Sequence, residues 1–81
     1  MTPSAAEIAA KLLTLAEARG PGASFCPSEA ARALAADWHG LMPAVRAEAA
    51  RLQDAGRLGA SQRGQPVRVE TARGPIRLHL P

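Results

Sequence analysis

Nine of the ten basic residues in this 81-residue chain are arginine, and they are unevenly spread. Residues 1–55 hold five bases against six acids, a net charge of −1. Residues 56–81 hold Arg57, Arg63, Arg68, Arg73 and Arg77 against Glu70 alone, a net charge of +4. A guanidinium presents a planar fork of donors that fits phosphate oxygens or a guanine edge, so an arginine-rich tail predicts an anionic partner on the C-terminal side. The competing reading is a solvated hairpin whose charge serves solubility alone. Abundant Ala and Arg beside one Lys also fits the codon bias of a GC-rich genome.

The other reactive side chains are few. Cys26 precedes Pro27 at a helix start, where a thiol can be activated, but it has no CxxC partner and reads as a small buried residue. One Cys and two His cannot make up a metal site, and no cofactor is expected. His39 and His79 stand without a Ser or Cys at recognisable catalytic spacing, so the chain is not expected to be an enzyme. No run approaches the ~18 apolar residues of a membrane span, and no basic leader precedes an apolar stretch. A lone cysteine forms no internal disulfide, and the expectation is a cytoplasmic, bacterial domain with no membrane or metal partner.

The elements that must position these residues form a single domain over 1–81. Half of its 38 apolar residues are alanine, so the core depends on nine Leu and a few larger side chains. A domain this small buries roughly 60% of its unfolded surface, and alanine compensates by letting helices approach closely. The first helix is predicted over about 4–19. Ser4 to Glu7 forms a capping box, with Thr2 and Pro3 as an alternative start, and Ile8, Leu12, Leu15 and Ala16 share a face. Gly20-Pro21-Gly22 ends the helix, and 23–25 is a short strand able to join a later hairpin.

Pro27 opens a second helix predicted to about 36, capped at Cys26 and burying Ala30, Ala33 and Leu34. Asp37 is a candidate cap for an irregular turn at Trp38 to Leu41. Trp38 is expected to plug the core, or, if exposed, to anchor a protein partner. A third helix over about 42–55 buries Leu41 or Met42, Val45, Ala49 and Leu52, while Arg46, Glu48, Arg51, Gln53 and Asp54 point away. Gly56 stops it. Beyond lie a strand at Leu58 to Gln62, a turn at Arg63 to Pro66, and a strict apolar–polar alternation from Ile76 to Leu80. Val67 to Glu70 either extends this ribbon or belongs to a loop bracketed by Pro66 and Gly74-Pro75.

A helix pair followed by a basic β ribbon outlines an α+β winged helix, three helices with a small antiparallel sheet and wing, about 57–80. The combination Cys26-Pro27-Ser28-Glu29-Ala30-Ala31-Arg32-Ala33-Leu34, Trp38 with Leu41-Met42-Pro43-Ala44-Val45-Arg46, Gly56-Arg57-Leu58 and Arg73-Gly74-Pro75-Ile76-Arg77-Leu78 resembles a bacterial family of short proteins. That family is catalogued as a domain of unknown function with a winged-helix architecture. The resemblance runs from about Ile8 to Leu80 and implies the fold without an activity. It departs at Arg68-Val69, where the resemblance implies a turn-forming Asp-Pro.

In a winged helix the third helix meets the major groove and the wing grips phosphates. The candidate nucleic-acid contacts are therefore His39, Arg46 and Arg51 near the third helix, and Arg63, Arg68 and Arg73 on the wing. The helix itself offers Ala44, Ala47 and Ala50 and no Asn, Ser or Thr in its first turns, so double-stranded DNA would be held by charge with little base reading. The alternative is a homodimerisation or protein-interaction module, to which alanine faces such as Ala5, Ala9 and Ala16 would allow close approach.

Overall fold

The first helix starts, and the third stops, where nearby groups complete free backbone ends. In a computed structural model describing residues 2–81, α1 spans Ala5–Arg19. Of the two possible starts, the capping box forms: the Glu7 amide donates to Ser4 Oγ at 3.1 Å, and the Ser4 amide to Glu7 Oε1 at 3.0 Å. Such a cap contributes about 1 kcal/mol. Ile8, Leu12 and Ala16 are buried on the predicted face, with Leu15 at its margin.

Strand β1 is Ser24–Phe25, and α2 is Pro27–Leu34. The helix ends two residues earlier than its alanine pattern predicts. Ala35 is extended at φ −152°, ψ 142°, although its amide still closes on Ala31 O. Its buried face is also rotated from the expected one: Pro27, Ala30 and Ala31 are buried, whereas Ala33 is exposed and Leu34 half-buried. With three alanines and a single Leu, the pattern could not orient so short a helix. Trp38–Leu41 makes one 3₁₀ turn, in which Asp37 gives no side-chain cap.

Helix α3 is Met42–Asp54, with Pro43 in its first turn and Val45, Ala49 and Leu52 in the core. Gly56, at φ +76°, closes a Schellman turn in which the Arg57 amide reaches Leu52 O at 2.8 Å and the Gly56 amide reaches Gln53 O at 3.0 Å. The chain then forms β2 (Gly59–Gln62), β3 (Gln65–Pro66) and β4 (Arg77–His79). The strand order is β1-β4-β2-β3, all antiparallel, with Leu78 opposite both Phe25 and Ala60. Phe25, Ala60 and Leu78 are buried against the helices, while Ser24, Ser61 and Arg77 fall on the outer face.

Three helices packed on this small sheet give an α+β winged-helix-like fold. Five of the fifteen core residues are alanine, and α1 packs on both α2 and α3. None of the helices described is long and apolar enough to cross a membrane.

The wing resolves the alternative left open at Val67 to Glu70. Arg63 and Gly64, at φ +53° and +79°, make a two-residue turn of the type that suits hairpin twist. Pro66 ends the short edge strand, and 67–76 then leaves the sheet as a loop. This loop turns back at Arg68 to Ala72, whose amide bonds Arg68 O at 2.9 Å, so the turn forms without an Asp-Pro pair. It buries Val69 to 3% exposure. Instead of projecting, the wing is strapped to α3.

Candidate nucleic-acid interface

The strap is built by side chains from α3. Gln53 grips it at both ends of its amide, donating to Val67 O at 2.7 Å and accepting from the Val69 amide at 2.9 Å. About two turns earlier, Arg46 forks onto two loop carbonyls, Ala72 O at 3.0 Å and Gly74 O at 3.1 Å. Arg68 pairs with Asp54 at the end of α3 and reaches Glu70 at 3.4 Å. These polar contacts accompany the burial of Val69, so loop and helix are one unit.

The arginines therefore divide by what they already hold. Arg46 is engaged with backbone carbonyls. Arg51 is 69% exposed but bidentate on Glu48, with Nη2 to Oε1 at 2.9 Å. Glu48 is tucked to 8% exposure instead of pointing away, and its hydrogen bond and charge hold the Arg51 pKa above the ordinary value. Asp54, through a hydrogen bond and its charge, does the same for Arg68. The outward face of α3 is Ala44, Ala47, Arg51 and Asp54, with no net charge.

His39 stands apart from all of these. Its ring stacks on Trp38 at 3.6 Å between centroids, and the Arg32 guanidinium lies 4.5 Å from the Trp38 ring. Trp38 is thus half-buried at the surface, packed against the core without plugging it. The 3₁₀ turn turns its indole toward the end of α2, and sequence pattern alone could not supply that direction.

Arg63 and Arg73 are the predicted residues that come together. With Arg77 they line a cleft of about 480 Å³ that also includes Cys26, Gln62 and Ile76. Arg63 is carried at the tip of the β2–β3 turn, Arg73 on the strap, and Arg77 on the outer face of β4. The Arg77 guanidinium is steadied on Ser24, with Nε to Oγ at 3.0 Å and Nη2 to the carbonyl at 2.9 Å. The side chains of Arg63 and Arg73 hold no hydrogen-bond partner among the described residues. Arg46, on α3, holds the strap carbonyls of Ala72 and Gly74 and does not line this cleft, nor do Arg51, Arg68 and His39.

Glu29 lies near enough to Arg77 for the two charges to interact. The Cys26 amide donates to the Glu29 carboxylate at 3.0 Å, and that bond, against the opposing effect of burial, lowers its pKa below the ordinary value together with Arg19 and the charge of Arg77. Arg19 pairs with it directly, so its charge is largely answered locally. A second concavity, of about 490 Å³, lies toward the β3 edge, with Gly59, Pro66, Val67 and His79 among its walls. Its only arginine, Arg68, is the one committed to Asp54 and Glu70. Among the described residues, no group of three or more His, Cys, Asp or Glu side chains is placed to hold a metal ion.

Sequence reasoning passed over Arg77, Gln62 and Gln53 as site residues. The strict alternation of β4 already put Arg77 on the outer face, which was a usable signal. The two glutamines act across 11 to 16 positions of chain, and no local pattern marks them.

Fold and cleft together define a small winged-helix-like domain with a basic corner and a charge-neutral third helix. Residues 5–81 match the family described as "Protein of unknown function (DUF3253)", and the chain belongs to that family. No curated protein matches it.

Proposed function

We propose that the protein binds the phosphate backbone of nucleic acid at the cleft formed by Arg63, Arg73 and Arg77, with little or no reading of base sequence. The observation that carries this reading is that three arginines line one concave surface with no acidic residue: Arg63 and Arg73 without internal partners, and Arg77, whose Nε and Nη2 are held on Ser24, adding its charge and its remaining Nη1 donors. Phosphate is the anion that such forks fit, and several of them spaced along a groove suit a polymer of phosphates. Base reading needs side chains that reach groove edges, and the exposed α3 positions Ala44 and Ala47 cannot make such hydrogen bonds. Arg51, the one long side chain on that face, already forks onto Glu48.

Binding by three cations belongs in the weak range of non-specific complexes, with Kd of about 10⁻⁴–10⁻⁶ M at physiological salt. The reading is of a bacterial cytoplasmic protein, in which a DNA-associated or regulatory role would draw on further copies or partners for affinity.

The test is a titration of a labelled random-sequence duplex, followed by fluorescence anisotropy over a salt series. The wild-type protein is expected to lose affinity with a slope of about −2.7 in log K against log salt, at about −0.9 per phosphate. Replacing Arg63, Arg73 and Arg77 together by Gln should abolish binding. Equal binding by that triple variant, or none by the wild type at low salt, would overturn the reading and favour a protein-interaction or dimerisation module.

A further inference from the structure

The four carbonyls that flank and include Arg73 are all taken, and alternately from two sides. Arg46 on α3 donates to Ala72 O and Gly74 O, at 3.0 and 3.1 Å. Gln62 at the end of β2 donates through Nε2 to Arg73 O and Pro75 O, at 2.6 and 3.0 Å. Gly74, at φ +79°, adopts the left-handed conformation within this run of captured carbonyls. A loop residue is normally among the most mobile in a domain, but here its backbone is held from a helix and a strand at once.

We infer that Arg46 and Gln62 are positioning residues that clamp the 72–75 backbone and so present the Arg73 side chain to the anion in the cleft. The inference rests on the phosphate-binding reading of that cleft. It assigns Arg46, the arginine on the third helix that a winged-helix pattern would send into a DNA groove, to the protein's own backbone. A guanidinium forked onto two carbonyls has used the edge it would offer to a phosphate. The benefit is preorganisation: a loop already ordered before binding does not have to be ordered by the ligand. Gln62 also lines the cleft, but its Nε2 is committed to Arg73 O and Pro75 O, so the clamp predicts that its effect on anion binding runs through Arg73.

The experiment is a set of double-mutant cycles on the intact chain, using the same duplex probe and salt series. The single variants are Arg73→Gln, Arg46→Gln, Arg46→Lys and Gln62→Met, with Arg46→Gln and Gln62→Met each also combined with Arg73→Gln. Gln62→Met is expected to weaken binding roughly three- to tenfold, and this effect should vanish once Arg73 is gone, as coupled residues behave. Arg46→Gln combined with Arg73→Gln should reduce the salt slope by about 0.9, the loss of one phosphate contact and not of two. Arg46→Lys keeps the charge but cannot fork onto both carbonyls, so it should resemble Arg46→Gln.

Additive effects in both cycles, a slope reduced by about 1.8 in the Arg46/Arg73 double variant, or full binding by Arg46→Lys would each overturn the clamp. Should the Arg46 variants fail to fold, the Gln62→Met cycle decides alone. If the wild type binds and the cleft triple variant does not, additivity removes only the clamp. If the wild type does not bind, the cleft reading and the clamp fall together.

Discussion

Helix α3 and the wing both present arginine, and the two regions put it to different uses. On α3, Arg46 holds loop carbonyls and Arg51 holds Glu48, so the helix faces solvent with alanine and a neutralised ion pair. On the wing, Arg68 is likewise consumed by Asp54, but Arg63 and Arg73 remain without internal partners and meet Arg77 across a cleft. The place that a winged-helix fold conventionally gives to recognition is here structural, and the free cations sit on the ribbon and the loop. What distinguishes the regions is the local supply of acceptors. α3 itself carries Glu48 and Asp54 and packs beside a loop whose Ala72 and Gly74 carbonyls accept from Arg46, whereas the cleft includes no carboxylate in its lining. Position in a fold nominates a side chain for a role, but hydrogen-bond accounting decides whether it is available.

The sharpest way to break this contrast is to release the strap. Gln53→Leu removes both ends of the amide grip and leaves the amide of Val69, a residue only 3% exposed, without its acceptor. An unsatisfied buried donor costs about 1–3 kcal/mol, a large share of the stability of a domain this small. Denaturant unfolding should show a loss of that size, and native-state hydrogen exchange should accelerate first at Val69. If stability and exchange at Val69 were both unchanged, the wing would not be part of the α3 unit.

A smaller and more selective change asks whether acceptor supply really separates the two regions. Glu48→Gln removes the charge that holds Arg51 while keeping a similar shape on α3. Arg51 is then free at the exposed face, and the contrast predicts that helix α3 gains a phosphate contact. The duplex titration should steepen by up to about 0.9 in salt slope, with slightly tighter binding at low salt. An unchanged slope would mean that the α3 face does not approach the nucleic acid even when its arginine is released.

Much of the fold was legible from local chemistry. The Ser4–Glu7 capping box, the Gly56 stop and the alternation of Ile76 to Leu80 each depend on residues a few positions apart, and each formed as the sequence predicts. The end of α2 was not, because Ala35 and Ala36 have helical propensity and only tertiary packing turns the chain away there. The wing was half legible: Arg63-Gly64 read as a turn, but the fold-back of 67–76 depends on Gln53 and Arg46, which meet it across 14 to 28 residues of sequence. The candidate site divides the same way. Composition located the charge in residues 56–81, whereas the partners that remove Arg46, Arg51 and Arg68 from the free set are visible only in three dimensions.

The smallest effect concerns a carboxylate whose charge meets that of Arg77. Glu29 accepts the Cys26 amide and pairs with Arg19, and the Arg77 charge adds to these, so its pKa in the folded chain lies below the ordinary 4.5. A carboxylate lowered in this way contributes stability that is fully present above its unfolded pKa and is lost as pH falls through the folded value. Glu29→Gln keeps an acceptor for the Cys26 amide but removes the charge, so its melting temperature should fall slightly below that of the wild type at pH 7. That difference should shrink as the pH is lowered below about 4.5, because the wild type then loses the same charge. The substitution also bears on the cleft from the opposite side to Glu48→Gln. With the negative charge gone from beside Arg77, duplex affinity at neutral pH should rise a little, and the gain should diminish with added salt as surface charges are screened. A melting difference that persisted unchanged to pH 3 would show that Glu29 acts here through packing, and that its charge neither steadies α2 nor tempers the arginine cleft.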